Sequence, residues 1–233
     1  MRGFSAFPQI TGFPELTIPD GKRIFTIENG SRELALVRYQ DGRVCNSVIH
    51  TLTRDSENER QRIDQTSLLD MSLRFNPDVL VVGEMRGAEA NAAQEAARTG
   101  VAVLTTIHSN SCEATYRRMV SLCKRAVDMS DETLMGYVTE AYPIIVFCKQ
   151  LENKSRRVME IMECEILPDG SRNFRPLFQY AITENRVENG KFIISGQHGV
   201  VQGISRSLQK RFLENGMPQD TLKQILAMGG ADL

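Results

Sequence analysis

Residues 76–111, NPDVLVVGEMRGAEANAAQEAARTGVAVLTTIHSNS, restrict the fold more than any other part of the chain. Asp78 to Gly83 is an apolar, β-branched run with the length of a strand buried on both faces, and it stops at Gly83-Glu84. Gly87 to Thr99 is rich in Ala, Glu and Gln, which are good helix formers, and Gly100 follows as a C-cap signal. Val101 to Ile107 reads as a second buried strand and breaks into the polar cluster His108-Ser109-Asn110-Ser111. A strand, a helix and a strand of these lengths predict two parallel strands joined by a right-handed crossover. Glu84 and His108 are then delivered at one edge of the sheet, the carboxyl edge at which α/β proteins bind ligands.

The rest of the chain is read around that unit. Met1 to Pro19 is punctuated by Gly3, Pro8, Gly12, Pro14 and Pro19, which predicts an irregular arm. Lys22 to Ile27 alternates like a strand and ends at Glu28-Asn29-Gly30, placing another carboxylate at a strand terminus; Glu33 to Tyr39 reads as the next short strand. Asp41 to Arg62 is long, polar and charged, and is expected to be a surface loop. Ile63 to Phe75 carries the apolar positions of a helix that packs on the sheet, ended by Pro77, and helices are also expected over Cys112–Arg125 and from Ser130 onward. Tyr142 to Cys148 is strand-like. Arg156–Leu167, Phe174–Ile182 and Lys191–Ser195 follow as strands separated by Pro168-Asp169-Gly170 and Glu188-Asn189-Gly190, the pattern of an antiparallel meander. Val200 to Asn215, stopped by Gly216, and Pro218 to Met228 read as closing helices. The expected class is therefore α/β: a mostly parallel sheet with flanking helices, then an antiparallel meander and C-terminal helices. The expected divisions are an arm at 1–19, a core at 20–150, and a meander with helical tail at 151–233.

A formal net charge of −1, with acidic and basic residues interleaved, gives no support for a surface that coats nucleic acid. Five widely spaced cysteines form no CxxC pair, which argues against a disulfide framework and points to a reducing, cytosolic compartment. No apolar run has the length of a membrane span, so any membrane association is expected to run through a partner.

Three groups at strand ends carry the candidate chemistry: Glu28, Glu84 and His108. A carboxylate at Glu84 suits orienting or deprotonating a water, or hydrogen-bonding the water shell of a Mg²⁺ ion; its blander role is a strand-end carboxylate paired with Arg86. His108 could hydrogen-bond a terminal phosphate or be a satisfied histidine. His50 and His198 have no such setting and are expected to be surface or structural. Glu84 and His108 lack the close ligand spacing of a zinc site.

These residues carry a resemblance. Asn76 to Gly87 looks like the Walker B segment of the secretion ATPases, the RecA-like hexameric motors of type II and type IV secretion and type IV pilus systems. Thr99 to Ser111 is similar to that family's His box, and Arg23 to Asn29, with Glu33-Leu34 as its tail, resembles the Asp box. The meander and helical end also look like the branch that assembles Flp/Tad pili. The resemblance implies a partial RecA-like ATPase core at 20–150, with ATP and Mg²⁺ as ligands. It implies that Glu84 positions or activates the attacking water, that Glu28 assists at the Mg²⁺-bound water, and that His108 contacts the γ-phosphate. Arg86 would stabilise the Walker B loop or communicate with a neighbouring subunit. No direct metal ligand is implied. The implied partners are further copies of the chain in a hexameric ring and an inner-membrane platform protein, with the chain cytoplasmic and peripheral at the inner face of the membrane.

Two departures accompany the match. Asn29 stands where the family commonly has Asp. More consequential, the phosphate-binding P-loop, GxxxxGK[ST], occurs nowhere in the 233 residues. That loop wraps backbone N–H groups around phosphates, with Lys as a point charge and Ser/Thr on Mg²⁺. The chain is thus expected to be the C-terminal portion of such a motor and to hydrolyse ATP poorly or not at all alone. A non-catalytic subunit that joins an intact ring is the alternative, and a nucleic-acid motor is disfavoured by the lack of a basic, aromatic-laced stripe.

Overall fold

A computed structural model describes residues 18–228, so all but the last two residues of the expected arm lie outside the described residues. The chain divides into two units. The first comprises residues up to His108 together with Arg117–Ala141, and the second comprises Ser109–Tyr116 and the residues from Tyr142 onward.

The first unit is built on a parallel sheet of β1 (Arg23–Glu28), β4 (Ser47–Leu52), β5 (Val79–Val82) and β6 (Ala102–Thr105), in the order β4-β1-β5-β6. β1 and β5 occupy the centre, and every residue of Val79–Val82 is buried, as the unbroken apolar run predicts. β6 corrects the expectation of a second buried strand. It lies at the sheet's edge among the described residues, and Leu104 is exposed on it.

The polar stretch 41–62 is not simply a loop. It contains β3 (Arg43–Val44), which pairs with β2 (Tyr39–Gln40), and β4, a full parallel partner of β1. No strand spans 33–39; only its last residue enters β2. β4 escapes sequence reading because Ser47-Val48-Ile49-His50-Thr51-Leu52 is a half-exposed edge strand with a histidine in the middle.

Two helices, α1 (Gln65–Arg74) and α2 (Glu89–Arg98), pack on this sheet, and α4 (Asp131–Ala141) packs on α2. Asp64 caps α1, its side chain accepting from Ser67 N at 2.8 Å, and the Phe75 ring lies 5.7 Å from that of Phe25 on the sheet. α2 ends at Thr99, and Gly100 takes φ +104°, a left-handed conformation that only glycine adopts without strain. Arg98 joins α2 to α4 by stacking 3.8 Å over the Tyr137 ring and pairing with Glu140 at 2.8 Å.

α3 (Cys112–Cys123) has its residues up to Tyr116 in the second unit and the rest in the first. The second unit is an antiparallel sheet in the order β10-β9-β8-β7: β7 (Ile144–Gln150), β8 (Arg156–Ile166), β9 (Arg172–Glu188) and β10 (Lys191–Val200). β7 pairs with β8, so the strand expected at the end of the core belongs with the meander. The β9–β10 hairpin turns on Asn189-Gly190, both at positive φ, the geometry that Asn-Gly favours. Buried Tyr116 closes the sheet's inner face: its hydroxyl donates to the Tyr142 carbonyl at 2.7 Å and its ring lies 5.5 Å from that of Phe174. The helical end begins later than expected. α5 (Arg206–Glu214) starts after a stretch through Gly203 and takes Ser205 as its N-cap, and α6 (Gln219–Met228) follows the Gly216 stop.

Candidate functional site

β5 ends at Val82, and the next five residues form a tied loop. Gly83 N donates to the Ile27 carbonyl at 2.8 Å, and Thr106 Oγ1 donates to the Gly83 carbonyl at 2.6 Å. Met85 N donates to the Thr106 carbonyl at 2.9 Å, while Gln65 Nε2 donates to the Glu84 carbonyl at 3.0 Å. With Gly83 and Thr106 locked together, the segments following β5 and β6 leave the sheet side by side. Glu84 and His108 consequently meet: His108 Nε2 stands 3.2 Å from Glu84 Oε1. Arg86 Nη2 donates to the other carboxylate oxygen at 2.5 Å.

Exposure distinguishes the three. The Glu84 side chain is 14% exposed, against 67% for Arg86 and 83% for His108, so a shielded carboxylate is flanked by two groups open to solvent. Although His108 is within ion-pair distance, Glu84 Oε1 is buried and accepts no well-aligned hydrogen bond. A buried carboxylate oxygen without a donor has lone-pair capacity for a water or a hydrated cation.

Glu28 ends β1, the strand beside β5. It is 3% exposed; its Oε2 accepts from the backbone N–H groups of Glu33 at 2.6 Å and Leu34 at 2.8 Å, and its Oε1 lies 3.5 Å from Thr26 Oγ1. Those contacts make it the anchor of the loop after β1. The neighbouring chain comes close, since a Cβ added at Gly83 would lie 3.7 Å from the Glu28 Cα and Cγ. Glu84, Arg86 and His108 are therefore gathered at one point, and Glu28 lies at the end of the adjoining strand, where it also anchors the loop after β1.

His50, expected to have a surface or structural role, faces Glu28. Its Nδ1 is 2.9 Å from Thr26 Oγ1 and 3.7 Å from Glu28 Oε1, because β4 pairs His50 opposite Thr26. Burial holds the His50 pKa below its ordinary 6.5, the Arg32 charge adds to that, and Glu28 pulls the other way. A folded-state pKa below the unfolded one means that the unfolded chain binds more protons, so stability is lost as pH falls from about 6.5 toward the folded value. His50→Gln is expected to flatten that part of the stability curve, read by denaturant unfolding between about pH 5 and 7.5. An unchanged slope would place the pH dependence elsewhere. The other histidine, His198, packs 4.9 Å from the Tyr180 ring with Nε2 2.9 Å from the Val158 carbonyl, a structural setting.

Sequence reading also missed the side chains that hold the loop. Glu89 Oε1 accepts from Arg86 N at 2.6 Å and Gly87 N at 2.7 Å, and Arg125 Nη1 donates to the Arg86 carbonyl at 3.0 Å. Only the Arg86-x-x-Glu89 spacing at a helix start hinted at the first of these; Arg125 and Gln65 are distant in sequence and carried no signal.

Among the described residues, no three His, Cys, Asp or Glu side chains gather as a metal-holding group. The Glu84 carboxylate, 14% exposed, is a hard oxygen group of the kind that hydrogen-bonds the water shell of a nucleotide-bound Mg²⁺, a cation that keeps several waters. Nothing in the sequence supplies the Gly-rich cradle for the phosphates. No helix among the described residues is long and apolar enough to cross a membrane.

The chain is similar in sequence to several named proteins. The chain is 42% identical over 179 residues to the type IV pilus assembly ATPase PilB of Pseudomonas aeruginosa, covering 76% of this chain and 31% of that protein. It is 34% identical over 104 residues to the conjugal transfer protein TrbB of Rhizobium radiobacter, covering 44% of this chain and 31% of that one. Among solved structures, the VirB11 ATPase of the Brucella suis type IV secretion system matches 63% of this chain and 41% of its own at 21% identity and a TM-score of 0.49. The chain thus spans about a third of the length of the curated relatives it matches. The family model described as "Type II/IV secretion system protein" matches residues 15–199. With most of its length inside that match, the chain belongs to the type II/IV secretion system protein family, the superfamily of secretion and pilus-assembly ATPases.

Proposed function

We propose that this chain is the C-terminal part of a hexameric motor ATPase that powers pilus assembly or secretion, in the Flp/Tad branch. It works in the cytoplasm at the inner face of the membrane, against an inner-membrane platform protein. The supporting observation is the approach of His108 to Glu84 at 3.2 Å, at the ends of neighbouring parallel strands. Bound ATP with Mg²⁺ supplies the phosphoanhydride to be broken and the charge that draws in a water. Glu84 orients that water and draws off its proton. His108, open to solvent, is the donor that faces the terminal phosphate. Arg86 holds the second oxygen of Glu84 and so fixes how the carboxylate is turned. Glu28 keeps the loop after β1 in place and acts on the site through backbone position.

A second reading, a non-catalytic subunit of an intact ring, is favoured by the absence of GxxxxGK[ST] from the sequence. Phosphate-release assays separate the two. The chain as given is expected to show near-zero Mg²⁺-dependent ATP hydrolysis, restored when an upstream segment bearing the phosphate loop is joined to it. Robust hydrolysis by the chain as given would overturn the need for that loop; no hydrolysis by either version leaves the non-catalytic reading standing.

A further inference from the structure

The loop that carries Glu84 is irregular backbone in a partly buried setting, where each polar group needs a partner. Side chains supply much of that. Thr106 takes the Gly83 carbonyl, Gln65 the Glu84 carbonyl and Arg125 the Arg86 carbonyl, all as donors. Glu89 differs from them in being an acidic group, buried at 8% exposure, with one oxygen accepting two successive backbone N–H groups.

An ordinary N-cap turns its side chain forward onto amides of its own first turn. Glu89 is instead the first residue of α2, and it reaches backward to Arg86 and Gly87, which precede the helix. The residue in the capping position, Ala88, has no side-chain hydrogen bond. The carboxylate lies at a helix N-terminus, where its charge is favoured, and its two bonds hold the loop. Gly87 is fitted to this arrangement: a Cβ there would stand 2.8 Å from Glu89 Oε2.

We propose that Glu89 is a positioning residue for Glu84. By pinning the backbone of Arg86 and Gly87 it fixes the point from which the Arg86 guanidinium reaches Glu84, and so fixes the carboxylate beside His108. This rests on the catalytic reading of Glu84 given above, but its first test does not.

In the full chain, hydrogen exchange at the Arg86 and Gly87 amides is expected to quicken about tenfold in Glu89→Ala. Glu89→Gln, which keeps a carbonyl oxygen to accept both amides, should stay near the parent. Exchange within β8 and β9 should not change in either variant. Gly87→Ala, which crowds the carboxylate with a single methyl, is the second probe and should quicken the same two amides if Glu89→Ala does not fold. In the version bearing a phosphate loop, Glu89→Ala should lower kcat about tenfold with KM for ATP unchanged, and Glu89→Gln should restore it. Unaltered exchange at both amides overturns the inference whatever the turnover, and quickened exchange with undiminished kcat overturns the positioning role. If no version turns over ATP, the functional reading fails by itself, and the exchange comparison still decides whether Glu89 holds the loop.

Discussion

Glu84→Gln, placed in a version of the chain that carries an upstream phosphate loop, is expected to lower ATP turnover by about 10²–10⁴-fold, the range for losing a positioned acid–base group. The substitution keeps the shape of the side chain and one carbonyl oxygen, so the loop tied to Gln65, Thr106 and Glu89 has no reason to move. What disappears is the negative charge and the basic oxygen facing His108. Arg86 keeps one acceptor but loses its ion pair, and as that guanidinium is largely exposed the cost to stability is small, of the order of a surface pair. Nucleotide affinity should hold within about threefold, because the lost interaction is made in the transition state more than in the ground state. Steady-state phosphate release together with binding of a fluorescent nucleotide measures both. Turnover within a few-fold of the parent would remove Glu84 from the chemistry.

The carboxyl-edge placement of Glu84 and His108 was legible because it depends only on local pattern. Asp78–Gly83 is too apolar to be anything but a central strand, Ala-rich 87–99 has helical propensity without competing turn signals, and a parallel crossover fixes which ends coincide. The chain was less legible wherever pairing partners are distant. β4 reads as loop because an edge strand with Ser47, His50 and Thr51 has no apolar face to advertise, and only its register against β1 brings His50 to Glu28. Glu28 itself looked like a strand-end group free to meet a ligand. One of its two oxygens accepts from the Glu33 and Leu34 amides that fold back on it, a turn five residues on that no periodicity encodes. The same limit hid Arg125, 39 residues from the carbonyl it holds.

The largest expected loss of stability lies in the second unit, at Glu163. Its carboxylate is 1% exposed and accepts from Ser205 N at 2.9 Å and from the Ser205 hydroxyl, with Arg175 Nε at 3.9 Å. Ser205 is also the N-cap of α5, its Oγ accepting from Leu208 N at 3.1 Å, so one acidic group in β8 fastens the start of the helical tail. Glu163→Ala leaves the Ser205 amide and hydroxyl without their acceptor and removes the charge that faces Arg175 Nε, and the expected cost is about 3 kcal/mol, the lower end for breaking a buried pair. The lower end applies because Arg175 keeps Glu165 at 3.4 Å and the Gly203 carbonyl at 3.0 Å. Glu163→Gln, which retains an acceptor but not the charge, should cost less than half as much. Because α5 is held at its N-cap, faster hydrogen exchange through Arg206–Met228 should accompany the fall in the midpoint of denaturant unfolding. A loss below about 1 kcal/mol, or exchange that quickens across β8 and β9 but not in α5, would mean that the helix is held by the packing of Leu208 and Leu222 and that the carboxylate is incidental to it.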